Sequence, residues 1–154
     1  MHPIRAIAFS ILFGSLSALT NCAAKPSSQV IDPALLVHVE TFEARYGVRY
    51  TGDAIISTLS SDKAGICSIS PRGKVITINR LYFEKYDVYG LEELMYHELG
   101  HCALGLDHKN DKDQYGCPNS IMFYAAFGNS WCYTNRRNML LQELEDSWKN
   151  LHGN

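Results

Sequence analysis

The chain has 154 residues, 46% of them hydrophobic, which suffices for one core of ordinary size and is too short for two independent domains. Lys and Arg number 14 against 16 Asp and Glu, giving a formal net charge of −2, and no basic block occurs along the chain. Nucleic acid is therefore not an expected partner, because phosphate binding relies on clustered Lys and Arg.

Arg5 is followed by the uncharged apolar run from Ala6 to Leu19, which reads as the hydrophobic region of a signal peptide spanning residues 1–22. The run is too short and too near the N-terminus for a comfortable membrane span. Residues 23–32, with Lys25, Pro26, Ser27 and Ser28, read as an exposed tether, leaving 33–154 as a single folded domain. Leu19-Thr20-Asn21-Cys22 resembles a bacterial lipobox, in which the Cys becomes the lipidated first residue, although Asn21 stands where Gly, Ala or Ser is usual. Cleavage after Ala24, releasing a soluble product, is the alternative. Both readings predict export, to the periplasm, the outer membrane or the medium, with membrane contact only through a lipid on Cys22. Besides Cys22, the cysteines are Cys67, Cys102, Cys117 and Cys132. An even set in an exported chain suggests two disulfides, with three possible connectivities, against the alternative of buried free thiols. Cys117 and Cys132 bracket one loop and are the preferred pair, which leaves Cys67 for Cys102.

In chain order, Asp32-Pro33 supplies a helix cap and first-turn residue, and Leu35, Val39, Phe42 and Tyr46 recur at helical spacing until Gly47. His38 on this helix is read as a packing or surface residue. Val48 to Tyr50 and Ala54 to Thr58 are candidate strands, and Gly65 to Ser70 with Lys74 to Asn79 reads as a hairpin turning at Pro71-Arg72-Gly73. A second helix is expected from about Asp87 to Leu104, with Glu92 and Glu93 in its first turn and Leu91, Met95, Leu99 and Cys102 as a buried stripe. Residues 105–130 lack periodicity and read as loop. A last helix, capped near Thr134 or Asn135, draws its apolar positions from Leu140, Leu141, Leu144, Trp148 and Leu151. The fold class is α+β: a small twisted mixed sheet packed on the N-terminal and middle helices, with the C-terminal helix beneath.

The middle helix contains His97-Glu98-Leu99-Gly100-His101. Two His four apart differ by only ~40° around a helix axis, so both imidazoles can reach one ion. Glu98 lies beside that face, placed to take a proton from a water that zinc has acidified. A bare motif of five residues arises by chance often enough that context has to decide. Context here is the amphipathic helix and the following Gly105, which can turn the chain and return His108 as a third ligand, leaving a coordination position open.

Here the chain resembles the metzincin superfamily of zinc endopeptidases, whose extended motif is His-Glu-x-x-His-x-x-Gly-x-x-His followed by a Met-turn. Ala103-Leu104-Gly105-Leu106-Asp107-His108 is similar to the matrixin segment after the second His, and Ser120-Ile121-Met122 to the matrixin Met-turn. The resemblance covers His97 to Tyr124. It departs at one place: Cys102, Ala103 and Leu104 separate His101 from Gly105, where the family has two residues. The standard register would offer Asp107 as third ligand; His108 is favoured because Gly105 shifts by the same one residue. The resemblance also implies that Met122 floors the metal and that Tyr124 can reach the metal or the oxyanion, whereas Tyr124 as a plain wall aromatic is the alternative.

The expected activity is peptide-bond hydrolysis by a monomeric enzyme: one Zn2+ on His97, His101 and His108, Glu98 as base, and a protein or peptide substrate paired with a sheet edge from residues 65–79. A non-catalytic zinc-binding surface lipoprotein and a zinc amidase acting on cell-wall peptide are the competing readings. Asp107, Asn110, Asp111 and Asp113 form an acidic loop, read as solvated rather than calcium-binding because its spacing follows no known calcium loop.

Overall fold

The computed structural model describes residues 29–127 and 131–153, so the expected leader, Cys22 and most of the tether lie outside the described residues. Helix α1 (Pro33–Tyr46) forms where both of its ends are specified locally. The Asp32 carboxylate accepts from Ala34 N–H at 3.0 Å, Pro33 occupies the first turn, and Gly47 at φ 65° closes the helix in the left-handed region. Leu35, Val39, Phe42 and Tyr46 are buried as expected, and so is His38. The end of the tether is structured: Val30 and Asp32 exchange backbone hydrogen bonds with Ala54, and the Gln29 side chain donates to the carbonyls of Tyr50 and Gly52.

Strands β1 (Asp53–Ser57), β2 (Gly65–Ser70) and β3 (Gly73–Asn79) form one mixed sheet in the order β1-β3-β2. The β2–β3 hairpin pairs Ser70 with Gly73, and β1 runs parallel to β3 with Ala54 opposite Ile76. Val48 to Tyr50 is not a strand. Its backbone groups are taken by side chains instead, Tyr50 N–H donating to Glu43 at 2.7 Å and Tyr50 carbonyl accepting from Gln29, so no ladder forms. A short helix not anticipated from the pattern, α2 (Arg80–Phe83), is capped by Asn79.

Helix α3 (Val88–Cys102) packs against the sheet and α1, the latter partly through edge-on contact of Phe42 with Tyr96. Its cap is Asp87, whose carboxylate accepts from Tyr89 and Gly90 N–H. The first turn therefore holds no acid, and Glu92 and Glu93 fall one turn later than expected. Helix α4 (Trp131–His152) begins about a turn before the expected caps, because the Cys132 disulfide and the buried Tyr133, bonded to Glu92, fasten that turn to the body. Leu140, Leu141 and Leu144 are buried and Trp148 partly so, but Leu151 is exposed: the packed core ends at Trp148.

Both disulfides are present, Cys67–Cys102 and Cys117–Cys132. They are consistent with an extracellular or periplasmic protein. Among the described residues no helix is long and apolar enough to cross a membrane. The fold is thus α+β, a small mixed sheet with helices around one core.

Candidate metal centre

Burial of Leu91, Met95, Leu99 and Cys102 fixes the rotation of α3. That rotation lays His97, Glu98 and His101 along a cleft of about 810 Å³ whose walls are β2 and the segment Tyr124 to Ala126. His108, arriving from the turn beyond α3, completes a triangle. The Nε2 atoms of His97, His101 and His108 lie 3.1–3.2 Å apart.

The outer nitrogens explain why the two helical rings cannot simply bond one another. His97 Nδ1 lies 2.8 Å from the Ile121 carbonyl and His101 Nδ1 2.6 Å from the Leu106 carbonyl. A carbonyl only accepts, so each Nδ1 carries the proton and donates, which leaves Nε2 as a bare lone pair. Converging lone pairs repel unless a cation lies among them. Metal–nitrogen bonds of 2.0–2.1 Å in a tetrahedral array require nitrogens roughly 3.3 Å apart, close to the spacing found. The donor set therefore fits a metal ion, and neutral imidazole suits zinc and other late first-row ions.

Burial pushes the His97 pKa down to about 4, the Ile121 hydrogen bond opposing and the neighbouring His101 and His108 adding to the depression. His101 is lowered for the same leading reason. Both rings are neutral at pH 7 and ready to ligate. Glu98 is 4% exposed, and burial pushes its carboxyl up to about 7 against the pull of a hydrogen bond from Cys67 N–H. A cation in the triangle would draw that value down again.

The extra residue before Gly105 is absorbed at the end of α3. Ala103 N–H donates to Leu99 carbonyl at 2.7 Å, but Leu104 N–H reaches the same carbonyl at 3.3 Å, and Leu106 N–H closes on Gly100 carbonyl at 3.0 Å. These bonds span one and two residues more than an α-turn, so the last turn is widened. Gly105 then reverses the chain at φ 70°. The result brings His108 to the other two histidines, while Asp107 is exposed and outside the group.

Met122 is fully buried against Gly100, which stands between the two helical histidines in the chain: a Cβ on Gly100 would stand 2.3 Å from its sulfur. The Ser120 hydroxyl accepts from Met122 N–H, and Lys109 N–H donates to Met122 carbonyl, tying the turn to the segment after His108. Tyr124 lines the cleft, is 62% exposed, and is held through its N–H by the Asn110 side chain. The acidic loop forms no metal cluster among the described residues. Asp113 is occupied internally, accepting from Tyr115 and Cys117 N–H and pairing with Arg136. His38 stands outside the histidine group and is buried, burial lowering its pKa against the raising influence of Glu92.

Sequence reasoning missed the carbonyls of Ile121 and Leu106, Gly65, and Cys67 N–H. Three of these are backbone groups, which leave no mark on residue type. No protein-family model matches the chain, and neither a curated protein nor a solved structure is detectably similar to it.

Proposed function

We propose that the chain is an exported zinc endopeptidase resembling the metzincins, with His97, His101 and His108 as ligands and Glu98 as the base. One observation carries this reading: ring nitrogens of three histidines converge in a cleft beside a buried carboxylate on the helix that carries two of them. A purely structural ion has no use for that carboxylate. Zinc bound there would supply Lewis acidity toward the scissile carbonyl and acidify a water molecule. Glu98 would accept the proton of the attacking water on its carboxylate and pass it to the leaving amine nitrogen.

Substrate binding draws on the sheet. The bond from Asn79 N–H to Ala64 carbonyl sets the hairpin's alternation, so Gly65, Cys67 and Ile69 turn their backbone groups away from β3. Since β2 is the outer strand and lines the cleft, an extended peptide can pair along the groups of Gly65 and Ile69, the Cys67 N–H being turned to Glu98. Tyr124, on the opposite wall, would donate a hydrogen bond from its phenol to the developing oxyanion.

The test is cleavage of casein by the zinc-loaded full chain beside Glu98→Ala, with bound zinc measured in both. Loss of about 10²- to 10⁴-fold in a variant that keeps its zinc supports the assignment. Inactivity of both, with zinc bound, favours a non-catalytic zinc-binding protein; turnover of cell-wall peptide but not casein favours an amidase.

A further inference from the structure

The contact between β2 and α3 has a regularity that the histidine triangle does not require. Glu98 and Cys102, four residues apart, share one face of α3; Gly65 and Cys67, two apart, share one face of β2. Four helical residues advance ~6 Å and two strand residues ~6.6 Å, so a helix and a strand with these spacings can join at two successive rungs. Both rungs exist. At the first, the Glu98 side chain fills the space over Gly65, where an added Cβ would come within 2.7 Å of Oε1 and 3.0 Å of Cγ. At the second, the Cys67–Cys102 disulfide joins the elements with Cα atoms 5.6 Å apart. The Cys67 backbone N–H also lies near enough to the Glu98 carboxylate to oppose the rise of its pKa, so one residue touches on both rungs. Lys74 on β3 adds a 2.7 Å bond from Nζ to Cys102 carbonyl, holding the end of the helix to the same sheet.

The metal ligands are oriented from elsewhere, by the carbonyls of Ile121 and Leu106. We propose that these two rungs form a clamp that positions the Glu98 carboxylate, making Gly65 and the Cys67–Cys102 disulfide positioning residues that set turnover without setting metal binding. The statement about turnover rests on the peptidase reading; the clamp itself does not.

Two measurements test it separately. In the metal-free full chain, Gly65→Ala lowers Tm by roughly 5–10 °C while Glu98 is present, and by less than about 2 °C in a Glu98→Ala background, where the new methyl has room. Equal losses in the two backgrounds would overturn the contact. In the metal-loaded chain, Cys67→Ala/Cys102→Ala keeps its bound metal and the visible spectrum of its cobalt form, while kcat on casein falls about 10- to 100-fold and KM changes less than about threefold. Unchanged kcat, or loss of the metal, would overturn the positioning role. Should that variant fail to fold, Gly65→Ala takes its place in the same comparison. A parent inactive on every peptide would sink the peptidase reading, and the melting cycle would still decide the clamp.

Discussion

At the scale of single residues, the centre is an arrangement of lone pairs. His97 and His101 each spend one nitrogen on a backbone carbonyl, which fixes the tautomer and aims the other nitrogen. His108→Ala should weaken zinc binding by more than about 100-fold, beyond what loss of an outer hydrogen bond produces, whereas Asp107→Asn should leave it unchanged; competition with a chromophoric chelator measures both. The reverse pattern would make Asp107 the third ligand. Residues at this scale were unevenly legible in the sequence. The pair His97 and His101 could be read because helical spacing is local. His108 could be preferred to Asp107 because Gly105 shifts by the same one residue, but the wide bond from Leu104 N–H to Leu99 carbonyl that accommodates the shift is a backbone detail that several residue types would permit. Gly100 is a second case, since its need for the missing Cβ becomes visible only once Met122 packs on it. Gly100→Ala should therefore lower Tm by several degrees, as overpacking does, and distort the cobalt spectrum, because Gly100 stands on α3 between His97 and His101.

At the scale of elements, α3 serves the sheet, the metal and α4 with different faces. Toward α4, Glu92 takes a bidentate pair from Arg137 at 2.6 and 2.8 Å and a hydrogen bond from the Tyr133 hydroxyl. Burial alone would raise the Glu92 pKa, but the Arg137 and Tyr133 bonds outweigh it and hold the carboxyl below its usual 4.5. A depressed folded pKa contributes stability above the unfolded value, and that contribution is lost as pH falls through the folded one. Glu92→Gln should thus cost about 1 kcal/mol at pH 7, a modest figure because Arg137 is 36% exposed, and the difference from the parent should shrink below pH 4.5. A gap in Tm that persists unchanged at pH 3 would mean the charge is not what matters. The same pair shows why elements differ in legibility. Helix α1 was readable from end to end because Asp32, Pro33 and Gly47 are its own punctuation, and the hairpin because Pro71 to Gly73 is a turn in itself. The start of α4 was not readable, since Cys132 and Tyr133 are held by partners 15 and 41 residues away. Val48 to Tyr50 has strand-forming residues, yet Glu43 and Gln29 claim its backbone.

For the whole molecule, the question is how the segment between α3 and α4 stays ordered. Residues 103–127 contain no helix or strand beyond one isolated bridge, and so long a stretch needs other fastenings. Three are present: the histidine triangle at its start, the Cys117–Cys132 disulfide near its end, and Arg136 between them, which grips Asp113 and Asn119. They act differently. The disulfide closes a loop of 15 residues in the unfolded chain as well, so its removal as Cys117→Ala/Cys132→Ala should cost about 3 kcal/mol in global stability. A bound metal would act only on the folded state, adding about 4 kcal/mol at a thousandfold excess over its Kd. Without a cation, the lone pairs of His97 and His101 face each other beside His108 at the start of the segment, while the core of α1, β3 and α3 keeps its packing. Removal of zinc should therefore loosen residues 106–124 first. Hydrogen exchange by mass spectrometry should show amides of Leu106, Lys109 and Phe123 losing protection in the chelated protein, while those of Leu94 to Leu99 in the buried helix lose much less. Loss of protection spread evenly over the whole chain would mean that the ion holds the entire fold together, and that the histidines staple the core as well as furnishing a site.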